Sequence, residues 1–288
     1  MAQALILAAL LAVTAVQAPP QPSGTEPQPT GIEVAFARLY GYDFSGALAV
    51  LDEEARARPA DPLVYSVRGA TYLFTEFERQ KILEIQFFED DDKVTDRERV
   101  KPDPAVRARL FATTAEARKL AGARLKVDPS DQNALLAMGM AASVEGDYYG
   151  FIEKRYFKTY SLSKEGQRYA RRLLALKPPL YDAYLTLGTV EYVVSNLNFF
   201  FRLFVRFDQI EGSKKKAIEN LELVIKHGHY YKPFAKILLA ALHLREKRPA
   251  EALVLLKEVG SEFPGNTLIQ REIVRVEERV AAPVTGQR

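Results

Sequence analysis

The chain has 288 residues, 48% hydrophobic and 27% charged, an ordinary globular composition with ample material for a core. Its net charge of +3 comes from 40 basic and 37 acidic residues scattered along the chain, a distribution that argues against a nucleic-acid partner. Cysteine is absent, which excludes disulfides, thiolate zinc sites and thiol nucleophiles.

Residues 1–18 read as a secretory signal. Ala4 to Val16 is an apolar run broken only by Thr14, shorter than the ~20 residues that span a bilayer. Val16-Gln17-Ala18 and Val13-Thr14-Ala15 offer small residues for cleavage, although no Lys or Arg precedes the run. Without cysteine at the junction there is no lipid attachment. The expectation is an exported protein, periplasmic or secreted, with an uncleaved N-terminal membrane anchor as the alternative. Residues 19–31 are a Pro-rich, disordered linker with nothing to bury.

From about Ile32 the chain reads as paired helices. Unit one ends at Asp61, with Ser45 as the expected N-cap of its second helix. Unit two opens at Pro62 and its second helix at Asp103-Pro104. Unit three covers Ser130 to Pro179, unit four Leu180 to His229, and unit five Pro233 to Gly265. Thr267 to Val280 carries Ile269, Ile273, Val276 and Val280 at helical spacing and is expected to cap the array. Residues 281–288 are a flexible tail.

One motif recurs through these units: a small residue, then Leu or Ala four positions on, then Pro eight positions further. It occurs as Ala47-Leu51-Pro59, Ala117-Ala121-Pro129, Gly166-Ala170-Pro178 and Ala252-Leu256-Pro264, while Ala217-Leu221 has His229 in place of the proline. Ala47 to Gly69, Ala117 to Gly139 and Gly166 to Gly188 are each 22 residues, and Ala217 to Ala240 is 23. Ala35 to Ala47 and Ala240 to Ala252 are each 12 residues, which completes a period of about 34. These residues resemble a tetratricopeptide repeat (TPR) protein over about residues 32–266. The usual first-helix Trp is absent, with Leu135 or Tyr184 in its place. The resemblance implies a fold and no catalytic residue. A narrower likeness, to a eukaryotic group of such proteins, rests on Glu211-Gly212-Ser213-Lys214, Ala217, Ile218 and Leu221. The expected fold is an all-α, right-handed α-solenoid of about five TPR-like helix-turn-helix repeats with a C-terminal capping helix, residues 32–280. The resemblance implies a protein or peptide partner held in the concave groove of first helices.

In the middle units the distance between helix anchors grows to 48, 27 and 29 residues, insertions of about 36, 15 and 17 expected to sit side by side on one edge. Candidate partner-binding residues are therefore Tyr65, Tyr72, Leu135, Tyr184 and Tyr192 on first helices, and Tyr148, Tyr149, Phe200, Arg202, Phe204 and Arg206 in the insertions. The segment Leu197 to Phe207 is apolar nearly all round apart from Asn198, Arg202 and Arg206. It reads either as a buried helix packed on the other insertions or as an aromatic docking surface for a partner or lipid. In the second insertion, Tyr148, Tyr149, Phe151, Tyr156, Phe157 and Tyr160 interleave with Lys154, Arg155 and Lys158. There the favoured reading is aromatics packed inward and cations in solvent.

Glu89-Asp90-Asp91-Asp92 lacks the ligand spacing of a calcium loop and reads as a solvated turn. His227 and His229 suit a helix end better than a metal pair, since His243 is the sole further histidine. Hydrolase, Walker and zinc-protease motifs are absent. The expectation is a non-catalytic interaction scaffold of the cell envelope, without cofactor or metal. Binding of a lipid or other apolar ligand between the insertions, with contact to a membrane surface, is the alternative.

Overall fold

The computed structural model describes residues 28–85, 89, 100–196 and 210–282. Among the described residues it is all-helical, with eleven α-helices and no strand. They are α1 (Gly31–Tyr40), α2 (Phe44–Ala57), α3 (Pro62–Arg79), α4 (Pro104–Val127), α5 (Gln132–Asp147), α6 (Tyr156–Leu174), α7 (Tyr184–Asn196), α8 (Lys214–His227), α9 (Lys232–Arg245), α10 (Pro249–Glu262) and α11 (Thr267–Ala281). A π-helical turn, Tyr148–Ile152, follows α5, and a 3₁₀ turn, Tyr181–Ala183, precedes α7. Residues 1–27, 86–88, 90–99, 197–209 and 283–288 lie outside the described residues, and with them the expected signal, most of the expected linker 19–31 and the Leu197–Phe207 segment.

Every helix packs on the next in sequence, and α1 also meets α3 as α3 meets α5. The recurrent small and aliphatic residues make this possible. In the second helices Ala47, Leu51, Ala117, Ala121, Gly166, Ala170, Ala217, Leu221, Ala252 and Leu256 are all buried. Small residues let paired helices approach closely. A Cβ added to Gly69 in α3 would stand 2.8 Å from the Thr114 methyl of α4. Between α3 and α5, the buried Ser66 hydroxyl donates to the Ala137 carbonyl at 2.8 Å.

The turns between units are stereotyped. Ala57 to Pro62, Val127 to Gln132, His227 to Lys232 and Glu262 to Thr267 each step five positions. Pro59, Pro129 and Pro264 follow their helices by two residues, where a helix cannot continue. Side chains of Asp61, Asp131 and Asn266 then cap the next helix by accepting from its backbone N–H groups. Asp43, not the expected Ser45, caps α2, and the Ser45 hydroxyl donates to that carboxylate at 3.1 Å.

Units one and five have three-residue links, 41–43 and 246–248, as their spacing requires. Of the first insertion, Ile82 shares a core cluster with Tyr148 and Ile152 of the second. Ile85 is buried in a cluster with Ala240, Leu256 and Ile269, and Glu89 pairs with Arg275 and Arg279 of α11. The second insertion is mostly helical, with a three-residue link at 153–155. Its helical parts are the π turn and the early turns of α6, with Phe151 edge-on to Phe77 of α3 at 5.7 Å.

The first two units also meet the region around the last. Phe36 stacks on Tyr230 at 5.1 Å, Tyr40 meets Phe263 at 5.6 Å, and Phe74 meets Phe234 at 5.9 Å. The Tyr40 hydroxyl donates to the Tyr230 carbonyl at 2.9 Å, and the Asn266 amide donates to the Tyr40 carbonyl at 2.8 Å. The side on which α1 and α3 would line a groove is thus occupied by the chain's own residues.

Candidate interaction surface

The predicted site residues divide between core and partly covered positions. Tyr72, Leu135 and Tyr148 are buried, so they belong to the core and present no surface to a partner. Tyr148 is fully enclosed, with its ring edge-on to Phe111 at 5.4 Å, and burial pushes its hydroxyl up to about 12. Tyr149 is half-buried, tilted against Phe111 at 5.3 Å and covered by the Arg155 guanidinium at 5.2 Å. Tyr65 is half-buried, and its hydroxyl donates to the Pro59 carbonyl at 3.1 Å. Tyr184 and Tyr192 are half-buried and pack against the cluster of Leu221, Val224 and Leu239. Phe200, Arg202, Phe204 and Arg206 lie outside the described residues.

The aromatic and cationic residues of the second insertion divide between core and surface. Tyr148, Tyr149 and Phe151 fold inward onto α3 and α4. Tyr156 and Phe157, on the first turn of α6, point outward and are 62% and 93% exposed. The backbone turns sharply between the two groups. The π turn is followed by Lys154 in the left-handed region, φ 54°, a conformation unfavourable for a residue with a Cβ. Such features are retained where the surrounding structure determines them. Here the turn redirects the chain so that α6 begins with its aromatic pair in solvent.

Phe157, Ser161, Lys164, Arg168 and Arg171 then follow one face of α6 at helical spacing. Arg168 and Arg172 lie over the Tyr169 ring at 5.2 and 5.7 Å, and Arg172 also donates to the Pro129 carbonyl at 2.6 Å. The nearby acids are engaged. Arg118 of α4 donates to Glu165 at 2.7 Å and to Glu145 at 3.0 Å, while Arg107 donates to Glu153 at 2.7 Å. The outward face of α6 is therefore cationic. A shallow recess of about 640 Å³ lies along it, lined by Ser161, Lys164, Glu165, Gln167, Arg168, Arg171 and Arg172.

A second recess of about 490 Å³ lies where α6, α7 and α8 meet. Leu174, Leu187 and Ile210 supply apolar surface, Tyr184 an aromatic one, and Arg171 and Lys216 a basic rim. Glu191 in this recess is buried and accepts from the Ser213 N–H at 2.9 Å, while Lys216 pairs with Glu211 at 2.7 Å.

The other constellations serve structure. His229 pairs with Glu33 at 2.9 Å, His227 lies on the Tyr181 ring at 4.8 Å, and burial pulls His243 below the usual imidazole value. Among the described residues no three His, Asp or Glu side chains converge as metal ligands, and no helix is long and apolar enough to cross a membrane. No protein-family model matches the sequence, and comparison with curated proteins finds no significant relative.

Proposed function

We propose that the chain is a non-catalytic, TPR-like interaction scaffold, a right-handed solenoid of five helix pairs and a cap, acting in the cell envelope. The repeat spacing, the buried anchors and the identical five-position turns support the architecture. The apolar N-terminal sequence supports export. Because the inner side is filled by Tyr230, Phe234 and Phe263, the partner docks on the outside, between the third and fourth units.

The observation that carries this reading is the recess at α6, α7 and α8. Its apolar residues fit one hydrophobic side chain of a partner protein's extended segment, and Lys164 and Arg168 on the adjoining face fit acidic residues beside it. A photo-crosslinking residue at Leu187 tests it, with one at Val254, exposed on α10, as control. A discrete protein adduct at 187, absent at 254 and lost when Lys164 and Arg168 become Glu, is expected. Equal labelling at both positions, or none at 187, rejects the recess as the partner site.

A further inference from the structure

We propose that the start of α6 is a membrane-docking tip that places Tyr156 and Phe157 at the headgroup level of an anionic bilayer. This does not depend on the peptide recess. Arg171 lies about 21 Å along the helix from Phe157, at 1.5 Å per residue.

Exposure gives the first argument. Phe157 is 93% exposed and Tyr156 62%, whereas Tyr148, Tyr149 and Phe151 a few residues earlier pack on α3 and α4. Two large rings held in water at one tip are costly, and the sharp turn through Lys154 puts them there.

Charge gives the second. Residues 148–164 contain Lys154, Arg155, Lys158 and Lys164 against a single acid, Glu153. That acid is neutralised by Arg107 at 2.7 Å and Arg155 at 3.5 Å. Cations on both sequence flanks of an aromatic pair match a bilayer interface, where rings settle among headgroups and the long basic side chains reach phosphates. A protein interface fits less well. A stable one needs about 800 Å² from each partner with its aromatic anchors in the middle of a packed patch, and two rings at a helix tip are not such a patch.

The test uses the full chain. It has no tryptophan, so Phe157→Trp introduces a single indole at the tip, whose emission reports this position whatever the N-terminal segment does. Vesicles of phosphatidylglycerol and phosphatidylcholine, and of phosphatidylcholine alone, are titrated. A blue shift with quenching by bilayer-buried bromolipid is expected for the anionic vesicles alone. Replacing Lys154 and Lys158 by Gln should weaken partition about twenty-fivefold at low salt, since each interfacial cation contributes roughly a factor of five. Tyr156→Ser with Phe157→Ser should weaken it at least tenfold while the circular dichroism stays unchanged, because neither ring is in the core. Unchanged indole emission on vesicles that pellet the protein, or equal partition of the double serine variant, overturns the proposal and assigns binding to another segment. A blue shift with soluble poly-glutamate but none with anionic vesicles overturns it in favour of an acidic protein.

Discussion

The buried carboxylate of Asp182, in the 3₁₀ turn before α7, accepts the backbone N–H of His229 at 2.7 Å. It also accepts those of Tyr230 and Tyr231, each at 2.7 Å. This turn, between α8 and α9, is the one whose unit lacks the recurrent proline, and it has no side-chain cap of its own. A carboxylate from across unit four thus does what Asp61, Asp131 and Asn266 do locally elsewhere. Asp182→Ala would strand N–H groups next to the residues that close against α1. A loss of about 3 kcal/mol is expected, since bonds to a charged acceptor are worth about 1.5–3 kcal/mol and orphaned donors cost about 1–3. Thermal unfolding should drop by roughly 6–12 °C. Asp182→Asn keeps an acceptor oxygen and should lose about half as much.

The same geometry reverses a repeat-based expectation at His229. Proline at this position would match the other four units, and Gly228 before it, at φ −63° and ψ 155°, is compatible with a following proline. Rigidifying a compatible loop gains about 0.4–1 kcal/mol. Here, however, His229 donates its N–H to Asp182, pairs with Glu33 at 2.9 Å and packs on Tyr230 at 4.3 Å. His229→Pro removes all three contacts and should destabilise by about 1–2 kcal/mol in urea titration. A stabilised variant would show that the Asp182 bonds contribute little.

The helix pairs were legible in the sequence because the repeat is a packing rule. Ala47, Ala117, Gly166, Ala217 and Ala252 recur at fixed distance from Pro or from the next unit, and the helices need a small residue at each of those points. Asp103-Pro104 and Thr267 marked helix starts for the same local reason. The groove was not legible, since the sequence does not show that α1 meets Tyr230 and Phe263 some two hundred residues away. Tyr72 and Leu135 were therefore expected on a surface and lie in the core. The split of the second insertion was likewise hidden. Tyr148 and Phe157 belong to one segment of interleaved aromatics and cations, and the turn at Lys154 separates buried from exposed. The α6 face could have been found, because Phe157, Ser161, Lys164, Arg168 and Arg171 share a helical stripe.

Glu76, buried near the end of α3, holds the two ends of the first insertion together. It accepts from Arg79 at 2.6 and 3.0 Å, from Gln80 at 2.5 Å and from the Asp103 N–H at 3.4 Å, while Arg79 also donates to the Lys101 carbonyl at 2.5 Å. Its hydrogen bonds keep the Arg79 guanidinium charged more firmly than usual. Breaking one side of a buried charged network costs about 3–5 kcal/mol, and Arg79 is partly exposed, which lowers the figure here. Glu76→Ala is expected to lose about 2–3 kcal/mol. Amide hydrogen exchange should rise most at residues 100–107, where α4 begins, and little in α9 or α10. A uniform rise would mean that Glu76 supports the whole array and not this junction.

Glu89 sets an acid limit on the contact between the first insertion and the last helix. Burial pulls its carboxyl up, but the hydrogen bonds from Arg275 and Arg279 outweigh that and hold it below its ordinary value of 4.5. A carboxylate depressed in the folded state contributes stability that is present above its unfolded value and is lost as pH falls through the folded one. The contact should therefore be at full strength at neutral pH and weaken below about pH 4.5, with no change on the alkaline side before arginine titrates. Its partly exposed guanidiniums limit the effect to roughly 1 kcal/mol. Glu89→Gln should be less stable than wild type by that amount at pH 7, and the two urea midpoints should converge as pH falls toward 3. High salt should narrow the gap at pH 7 as well, because screening weakens exposed pairs more than buried ones. A gap that persists unchanged at pH 3 would show that Glu89 acts there through packing beside Ile85, and that charge is not what joins this segment to α11.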